Sequence, residues 1–165
     1  MLEPFNFNGS KALVIGGATG LGKEIAIALA GHGADVIIAS RNIEKLKATS
    51  KNINSGDISG SCTYFDVDIS SSHSIEQLVS NVSKMNDGKL NILVNSAGMN
   101  IRNPIEKITI DDWDTVMNAN LKGAFMINQL SFKLLEKSEY GRVINIASIF
   151  SSVTYPERAT YSASK

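Results

Sequence analysis

The chain has 165 residues, of which 43% are hydrophobic and 19% charged, and this is the composition of a single globular domain with its own core. Sixteen basic residues balance sixteen acidic ones, so no net charge points to nucleic acid or an anionic membrane surface, although a local basic pocket is compatible with this balance. The single cysteine, Cys62, excludes an intramolecular disulfide and fits a reducing compartment.

Targeting, membrane and metal signals are all missing from the sequence. The N-terminal residues do not show the charged-then-apolar pattern of a signal peptide, and no apolar run approaches the roughly 20 residues that span a bilayer. His32 and His73 lie in polar contexts at predicted helix edges and are interpreted as surface residues. We therefore expect a cytoplasmic protein without a metal site.

Five short β-rich runs alternate with longer helical patterns. The predicted strands cover residues 11–17, 34–40, 61–67, 90–96 and 141–148. Several of these runs are nearly continuously apolar, which is typical of strands buried on both faces of a parallel sheet. The alternation predicts an α/β fold with a doubly wound parallel sheet, the Rossmann fold, and right-handed crossovers.

Helical patterns fill the gaps between the strands. The predicted helices cover residues 20–30, 43–52, 71–85 and a broken or kinked stretch from 109 to 137. The first helix has one apolar stripe, formed by Leu21, Ile25, Ala28 and Leu29. The serines at 70–72 are candidate N-caps of the third helix, and Thr109 with the acidic residues after it opens the fourth. No linker or repeat divides residues 1–165, which predicts one domain.

The stretch GATGLGKE at 17–24 fits two different phosphate loops. Counted from Gly17 it is a Walker A loop in which Glu24 replaces the final Ser/Thr, and a carboxylate there would repel a triphosphate. Counted from Gly16 it is a glycine-rich turn that brings backbone N–H groups to a dinucleotide at a helix N-terminus. Glu24 favours the dinucleotide turn. Its predicted cofactor-binding residues are Gly16, Thr19, Gly20, Leu21 and Gly22.

Ser40 and Arg41 follow the second predicted strand, about 20 residues after the glycines, where a dinucleotide site meets the adenosine ribose. An NAD site has Asp or Glu at this position. Arg41 instead can pair with a 2′-phosphate, and no carboxylate is there to repel it. The sequence therefore favours NADP(H) over NAD(H), with a solvated surface arginine as the alternative.

Two further groups of residues follow later strands. In NSAG at 95–98, Gly98 lets the backbone come close to a ligand and Asn95 can bridge backbone groups between strands. Tyr161 and Lys165 in YSASK are four residues apart, so a helix places them on one face. A nearby ammonium favours the phenolate form of a tyrosine, which can exchange a proton with a carbonyl or alcohol oxygen held by Ser148.

In order and spacing these segments resemble the short-chain dehydrogenase/reductase family over the whole chain. The T-G-x-x-x-G-x-G pattern of the family stands at 15–22 with Ile15 in place of Thr, and its N-N-A-G pattern stands at 95–98 with Ser96 at the second position. NANLKGAF is similar to the segment whose Asn joins the catalytic group, which is Asn120 here. Ser148, Tyr161 and Lys165 match the remaining catalytic positions.

The resemblance implies reversible hydride transfer at the nicotinamide C4. Tyr161 would act as the general acid and base, Lys165 would make it more acidic and bind the nicotinamide ribose, and Ser148 would hold the substrate oxygen. Asn120 would support a water that relays the proton. Further cofactor contacts would come from Asp68, Ile69, Asn95, Ala97 and Gly98.

The substrate and the extent of the chain stay open. The segments at 98–125 and 144–165 look most like gluconate 5-dehydrogenases and related sugar-acid oxidoreductases. Many sequences of similar texture are 3-oxoacyl-carrier-protein reductases. Arg102 after the NSAG turn can face a substrate carboxylate or lie on the surface. The resemblance implies a longer protein that forms a homodimer or homotetramer. A truncated chain that binds cofactor without catalysis is the third alternative.

Overall fold

A computed structural model describes residues 5–56 and 58–165 and contains one five-stranded parallel sheet in the order β3-β2-β1-β4-β5. The strands are β1 (Lys11–Ile15), β2 (Asp35–Ser40), β3 (Ser61–Asp66), β4 (Ile92–Asn95) and β5 (Arg142–Asn145). At the central strand, Ile15 lies opposite Ala39 of β2 and Asn95 of β4. The order reverses direction between β1 and β4, and ligands of doubly wound sheets bind at such a reversal.

Helices cover both faces of the sheet. They are α1 (Gly20–Gly31), α2 (Ile43–Asn54), α3 (Ser72–Met85), α4 (Ile110–Met117), α5 (Ala124–Glu136) and α6 (Ala159–Ser164). Leu13 and Ile15 of β1 pack in one core with α3 and α5, whereas Ala12 and Val14 pack in a second core with α1 and α2. Successive residues of β1 thus serve opposite layers, and the predicted doubly wound fold is confirmed.

The apolar stripe predicted for α1 is wrong. Leu21 is 67% exposed and Ala28 is exposed as well, while Ile25 and Leu29 are only half-buried. The positions that face the sheet carry small residues at every fourth position, Gly22, Ala26 and Ala30. The helix lies too close to the sheet for larger side chains, and a search for the most apolar stripe therefore selects the neighbouring face.

The stretch from 109 to 137 is one helical rod with an irregular centre. Thr109 and Asp112 form a reciprocal capping box at its start. A π-helical segment, Asn118–Gly123, joins α4 to α5 and corresponds to the predicted kink. At the end of this segment, a Cβ added to Gly123 would collide with the carbonyl oxygen of Ile69, so only glycine allows this approach. The predicted serine cap of α3 is Ser71, whose hydroxyl accepts from Ser74 N at 3.3 Å.

Burial differs between the central and outer strands. Strands β1, β2 and β4 are largely buried, as their apolar runs predict, but all four residues of β5 are exposed. Val143 and Ile144 are apolar like the residues of a central strand, yet they are 44% and 47% exposed. Because β5 is the last strand of the described sheet, composition alone overestimates its burial.

The remaining predictions concern single residues. Cys62 is a buried core residue, and burial raises the pKa of its thiol to about 11. His32 and His73 are exposed. Within residues 5–56 and 58–165 no cluster of three metal-ligating side chains occurs, and none of the helices is long and apolar enough to cross a membrane. The first four residues of the predicted leader-free N-terminus lie outside the described residues.

Candidate functional site

A crevice of about 890 Å³ lies along the carboxyl ends of the five strands. It is lined by the segments that directly follow the strands, which is where ligands of open α/β sheets bind. Most of the predicted site residues meet there: Gly16, Thr19, Gly20, Leu21, Ser40, Arg41, Asp68, Ile69, Ala97, Gly98, Arg102, Ser148, Tyr161 and Lys165. Gly22, Asn95 and Asn120 do not line the crevice and support it from behind.

The glycine turn between β1 and α1 depends on the absence of side chains. Gly16 has a φ of +82°, and a Cβ there would lie 2.7 Å from Ala97 N. A Cβ on Gly22 would collide with the carbonyl oxygen of Gly16. Thr19 makes no side-chain capping bond, and the first turn of α1 has no acidic residue. The backbone N–H groups of this first turn can therefore donate hydrogen bonds to an anion. There is room for one at Gly20, where no described atom lies within 4 Å of an added Cβ.

The end of the crevice beyond β2 is basic. Arg41 lines it, and Lys45 in the first turn of α2 lines it too. Both side chains are exposed. Ser40 Oγ is buried and has no hydrogen-bond partner among the described residues. An anionic group here meets two cations. Lys45 is not among the predicted residues, although its position in the helix after Arg41 is readable from the sequence.

Asp68 closes this end after β3. Hydrogen bonds from Ser70 Oγ at 2.7 Å and Ser70 N at 2.9 Å, helped by the charge of Arg41, hold the pKa of the Asp68 carboxyl below its usual value. Asp68 N is held in turn by Ser74 Oγ at 3.0 Å. The carboxylate is therefore fixed in orientation before any ligand arrives.

Asn95 forms a side-chain network behind the crevice. Its Nδ2 donates to Asn128 Oδ1 of α5 at 2.7 Å and to Asn145 Oδ1 of β5 at 2.8 Å. The predicted bridge between backbone groups is thus made between side chains instead, because Asn145 stands opposite Asn95 in the sheet register. The segment that follows Asn95 lines the crevice in its place, through Ala97 and other residues.

Asn120 joins three separate elements at the centre of the π-helical segment. The residue is 7% exposed, its Oδ1 accepts from Met99 N at 2.8 Å, and its Nδ2 donates to Met99 O at 2.8 Å. The same Nδ2 reaches Ser164 Oγ in α6 at 2.9 Å, and Ser164 Oγ donates to Tyr161 O at 2.8 Å. The amide of Asn120 therefore fixes the loop after β4 against α6. Ser164 is not a predicted site residue; its only signal is a small polar residue inside YSASK.

Tyr161 and Lys165 lie on one side of α6, as their spacing predicts. Lys165 Nζ is 5.9 Å from the centroid of the Tyr161 ring and donates to Ile146 O, directly after β5, at 2.8 Å. Ser148 Oγ accepts from Phe150 N at 3.2 Å and caps a short turn. The Phe150 ring packs edge-on against Tyr161 with the centroids 6.2 Å apart. Phe150 and Arg158, neither of them predicted, also line the crevice.

A sheet of this order, with a glycine turn before α1 and a Ser, Tyr and Lys in the same crevice, defines a Rossmann-type dinucleotide-binding domain. The chain belongs to the short chain dehydrogenase family, whose model matches residues 10–165.

Named relatives agree with this membership. A tropinone reductase homologue of Arabidopsis thaliana, named as chloroplastic, is 35% identical over 99% of this chain and 50% of its own length. A gluconate 5-dehydrogenase of Gluconobacter oxydans is 30% identical over 98% of this chain and 62% of its own. The crystal structure of a metagenomic short-chain oxidoreductase in complex with NADP has a TM-score of 0.90 and 28% identity, over 96% of this chain and 71% of its own. The chain spans 50% and 62% of the length of the two named relatives and 71% of the chain in the NADP complex.

Proposed function

We propose that the protein is an NADP(H)-dependent oxidoreductase that interconverts a ketone and a secondary alcohol. The observation that carries the proposal is the shared crevice: the glycine turn lies along one part of it, and Ser148, Tyr161 and Lys165 line another. The glycine turn supplies an anion-binding site, and Tyr161 supplies a phenol that can exchange a proton, within one cavity.

The crevice fits a phosphorylated dinucleotide at two points. The free N–H groups at the start of α1 suit the pyrophosphate, and the Gly16 turn allows the backbone to approach it. Arg41 and Lys45 suit a 2′-phosphate, which favours NADP(H) over NAD(H). The relative solved in complex with NADP supports the same choice. The bound cofactor would supply the hydride at its nicotinamide C4.

The residues of this chain would handle the proton and the substrate oxygen. The Tyr161 hydroxyl donates a proton to the oxygen during reduction and takes one from it during oxidation. The Lys165 ammonium, held by Ile146 O, places a positive charge 5.9 Å from the centroid of the Tyr161 ring. Ser148 Oγ donates a hydrogen bond to the same substrate oxygen. Asn120 acts as a positioning residue, since its side chain is fully engaged with Met99 and Ser164.

For the substrate we propose a sugar acid or polyol, with 5-ketogluconate and gluconate as the pair to test first. The gluconate 5-dehydrogenase relative and the cations that line the crevice support this choice. We propose further that the whole protein is a cytoplasmic homodimer or homotetramer, as the family resemblance implies. Light scattering on a size-exclusion column measures the oligomeric state directly.

The decisive experiment mixes the 165-residue chain with NADPH and 5-keto-D-gluconate and follows the absorbance of the reduced nicotinamide. We expect turnover, and we expect Tyr161→Phe to abolish it while NADPH affinity stays within about twofold. Tyr140→Phe is the matched control, because Tyr140 is exposed and does not line the crevice. Turnover by Tyr161→Phe near the wild-type rate would remove Tyr161 from the mechanism.

Two other outcomes discriminate between the alternatives. NADPH binding without turnover of any substrate identifies a chain that binds cofactor without catalysis. Turnover of an acetoacetyl thioester but not of 5-ketogluconate replaces the sugar acid by a 3-oxoacyl substrate.

A further inference from the structure

The crevice is much more basic than the protein as a whole. The chain carries equal numbers of acidic and basic residues, yet the crevice is lined by five cationic side chains, Arg41, Lys45, Arg102, Arg158 and Lys165. Among the described residues that line it, Asp68 is the only carboxylate, and its hydrogen bonds to Ser70 engage it. A cleft lined by one sign of charge concentrates ligands of the opposite sign.

Three of these cations already have an assignment. Arg41 and Lys45 lie beyond β2, where the 2′-phosphate is expected, and Lys165 is held by the carbonyl oxygen of Ile146. Arg102 is predicted to face a substrate carboxylate or to lie on the surface, and Arg158 has no assignment. Arg102 is exposed, whereas Arg158 is half-buried. A charge without a protein partner costs more free energy at the half-buried Arg158 than at the exposed Arg102.

The Phe150 ring lies between Arg158 and Tyr161, one of the proposed catalytic residues. The guanidinium carbon of Arg158 lies 5.4 Å from the centroid of the Phe150 ring, and that ring packs edge-on against Tyr161. Within residues 5–56 and 58–165 the guanidinium makes no ion pair or hydrogen bond. Stacking on an aromatic face leaves the N–H groups at the rim of a guanidinium free. Those groups form a planar fork that matches a carboxylate.

We propose that Arg158, stacked on Phe150, binds the carboxylate of a hydroxy or oxo acid and makes the site selective for acids over neutral polyols. The inference rests on the proposed oxidoreductase function and narrows its substrate class. A cofactor phosphate is the less suitable partner, because the glycine turn and the residues after β2 already supply the phosphate sites. Arg158 is instead separated from Tyr161 only by the Phe150 ring. Arg102 adds a second positive charge to the same crevice.

A sugar acid and the matching sugar alcohol, which differ in one functional group, test whether Arg158 recognises a carboxylate. D-Glucitol differs from D-gluconate only at C1, where a hydroxymethyl group replaces the carboxylate. The chain is assayed with NADP⁺ and each compound in the wild type and in Arg158→Met, which keeps an apolar stem over Phe150 but removes the charge. Arg142→Met is the control, since Arg142 is exposed on β5 and does not line the crevice.

We expect Arg158→Met to lower kcat/KM for gluconate about tenfold or more, the usual effect of losing a hydrogen-bonded charge. The value for glucitol should change less than about twofold, and Arg142→Met should change neither. Arg158→Lys should recover part of the loss, because a charge without the fork remains. Unchanged gluconate kinetics in Arg158→Met would overturn the proposal.

Two further results would also overturn it. An equal loss for both compounds would mean that Arg158 only holds Phe150 and Tyr161 in place, and a lower affinity for NADPH would mean that it binds a cofactor phosphate. If neither compound is turned over, the proposed activity on sugar acids and polyols fails, while the inference is still tested by calorimetry. Gluconate must then bind the chain–NADP⁺ complex more tightly than glucitol does, and Arg158→Met must remove that difference.

Discussion

Replacing Asn120 by alanine tests whether one amide holds the site together. The change removes three hydrogen bonds, to Met99 N, Met99 O and Ser164 Oγ. A neutral hydrogen bond contributes about 0.5 to 1.5 kcal/mol net. Met99 is half-buried, so water can replace part of the loss there, whereas Ser164 is 6% exposed and its hydroxyl keeps only the hydrogen bond to Tyr161 O. We therefore expect the free energy of unfolding to fall by about 2 to 3 kcal/mol.

This loss is a large share of the roughly 5 to 15 kcal/mol that stabilises a domain. For a chain of this length it corresponds to a decrease in Tm of roughly 4 to 12 °C. Urea titration followed by circular dichroism measures the free energy, and a thermal scan measures Tm. Asn52→Ala is the matched control, because Asn52 is exposed on α2, and its effect should stay within about 0.5 kcal/mol. An Asn120→Ala variant as stable as this control would show that the hydrogen bonds of Asn120 to Met99 and Ser164 do not stabilise the fold.

Three further predictions follow from the same structure. Gly22→Ala places a Cβ against Gly16 O and should weaken NADPH binding at least about tenfold in a fluorescence titration, whereas Gly31→Ala at the open end of α1 should not; equal affinities would show that the turn adapts. Arg41→Asp should shift the kcat/KM preference from NADPH toward NADH, and an unchanged ratio would separate Arg41 from the 2′-phosphate. Cys62, whose thiol pKa burial raises to about 11, binds its proton more tightly when folded. It should therefore resist a disulfide reagent at about pH 8 until urea unfolds the chain, and rapid labelling of the folded chain would contradict its burial.

Patterns set by local chemistry were readable from the sequence. The glycines at 16 and 22 have a steric reason at their own positions, and Gly20 has a φ of +55°. The polar residues that end each strand reach one edge because parallel strands share it. The i,i+4 spacing of Tyr161 and Lys165 needs only a helix. These features made the fold and half of the residues that line the crevice predictable.

Features set by packing between distant segments were not. The face of α1 that meets the sheet depends on how closely the two approach, which favours Ala26 over the more apolar Leu21. The link from Asn120 to Ser164 spans 44 positions, and no local pattern encodes it. Arg158 stands in a polar stretch of ordinary composition, and only its stacking on Phe150 distinguishes it from a surface charge.

The open edge of β5 has a practical consequence for work with this chain. Its outer backbone groups are unpaired by any described strand, and Val143 and Ile144 flank them. Such an edge is a template onto which a strand of another molecule can add. The rate of that reaction rises with the square of protein concentration, whereas folding of a single chain does not depend on encounters between chains. Refolding therefore belongs in dilute solution, where a scattering mass that stays constant on further dilution shows that strand addition has stopped.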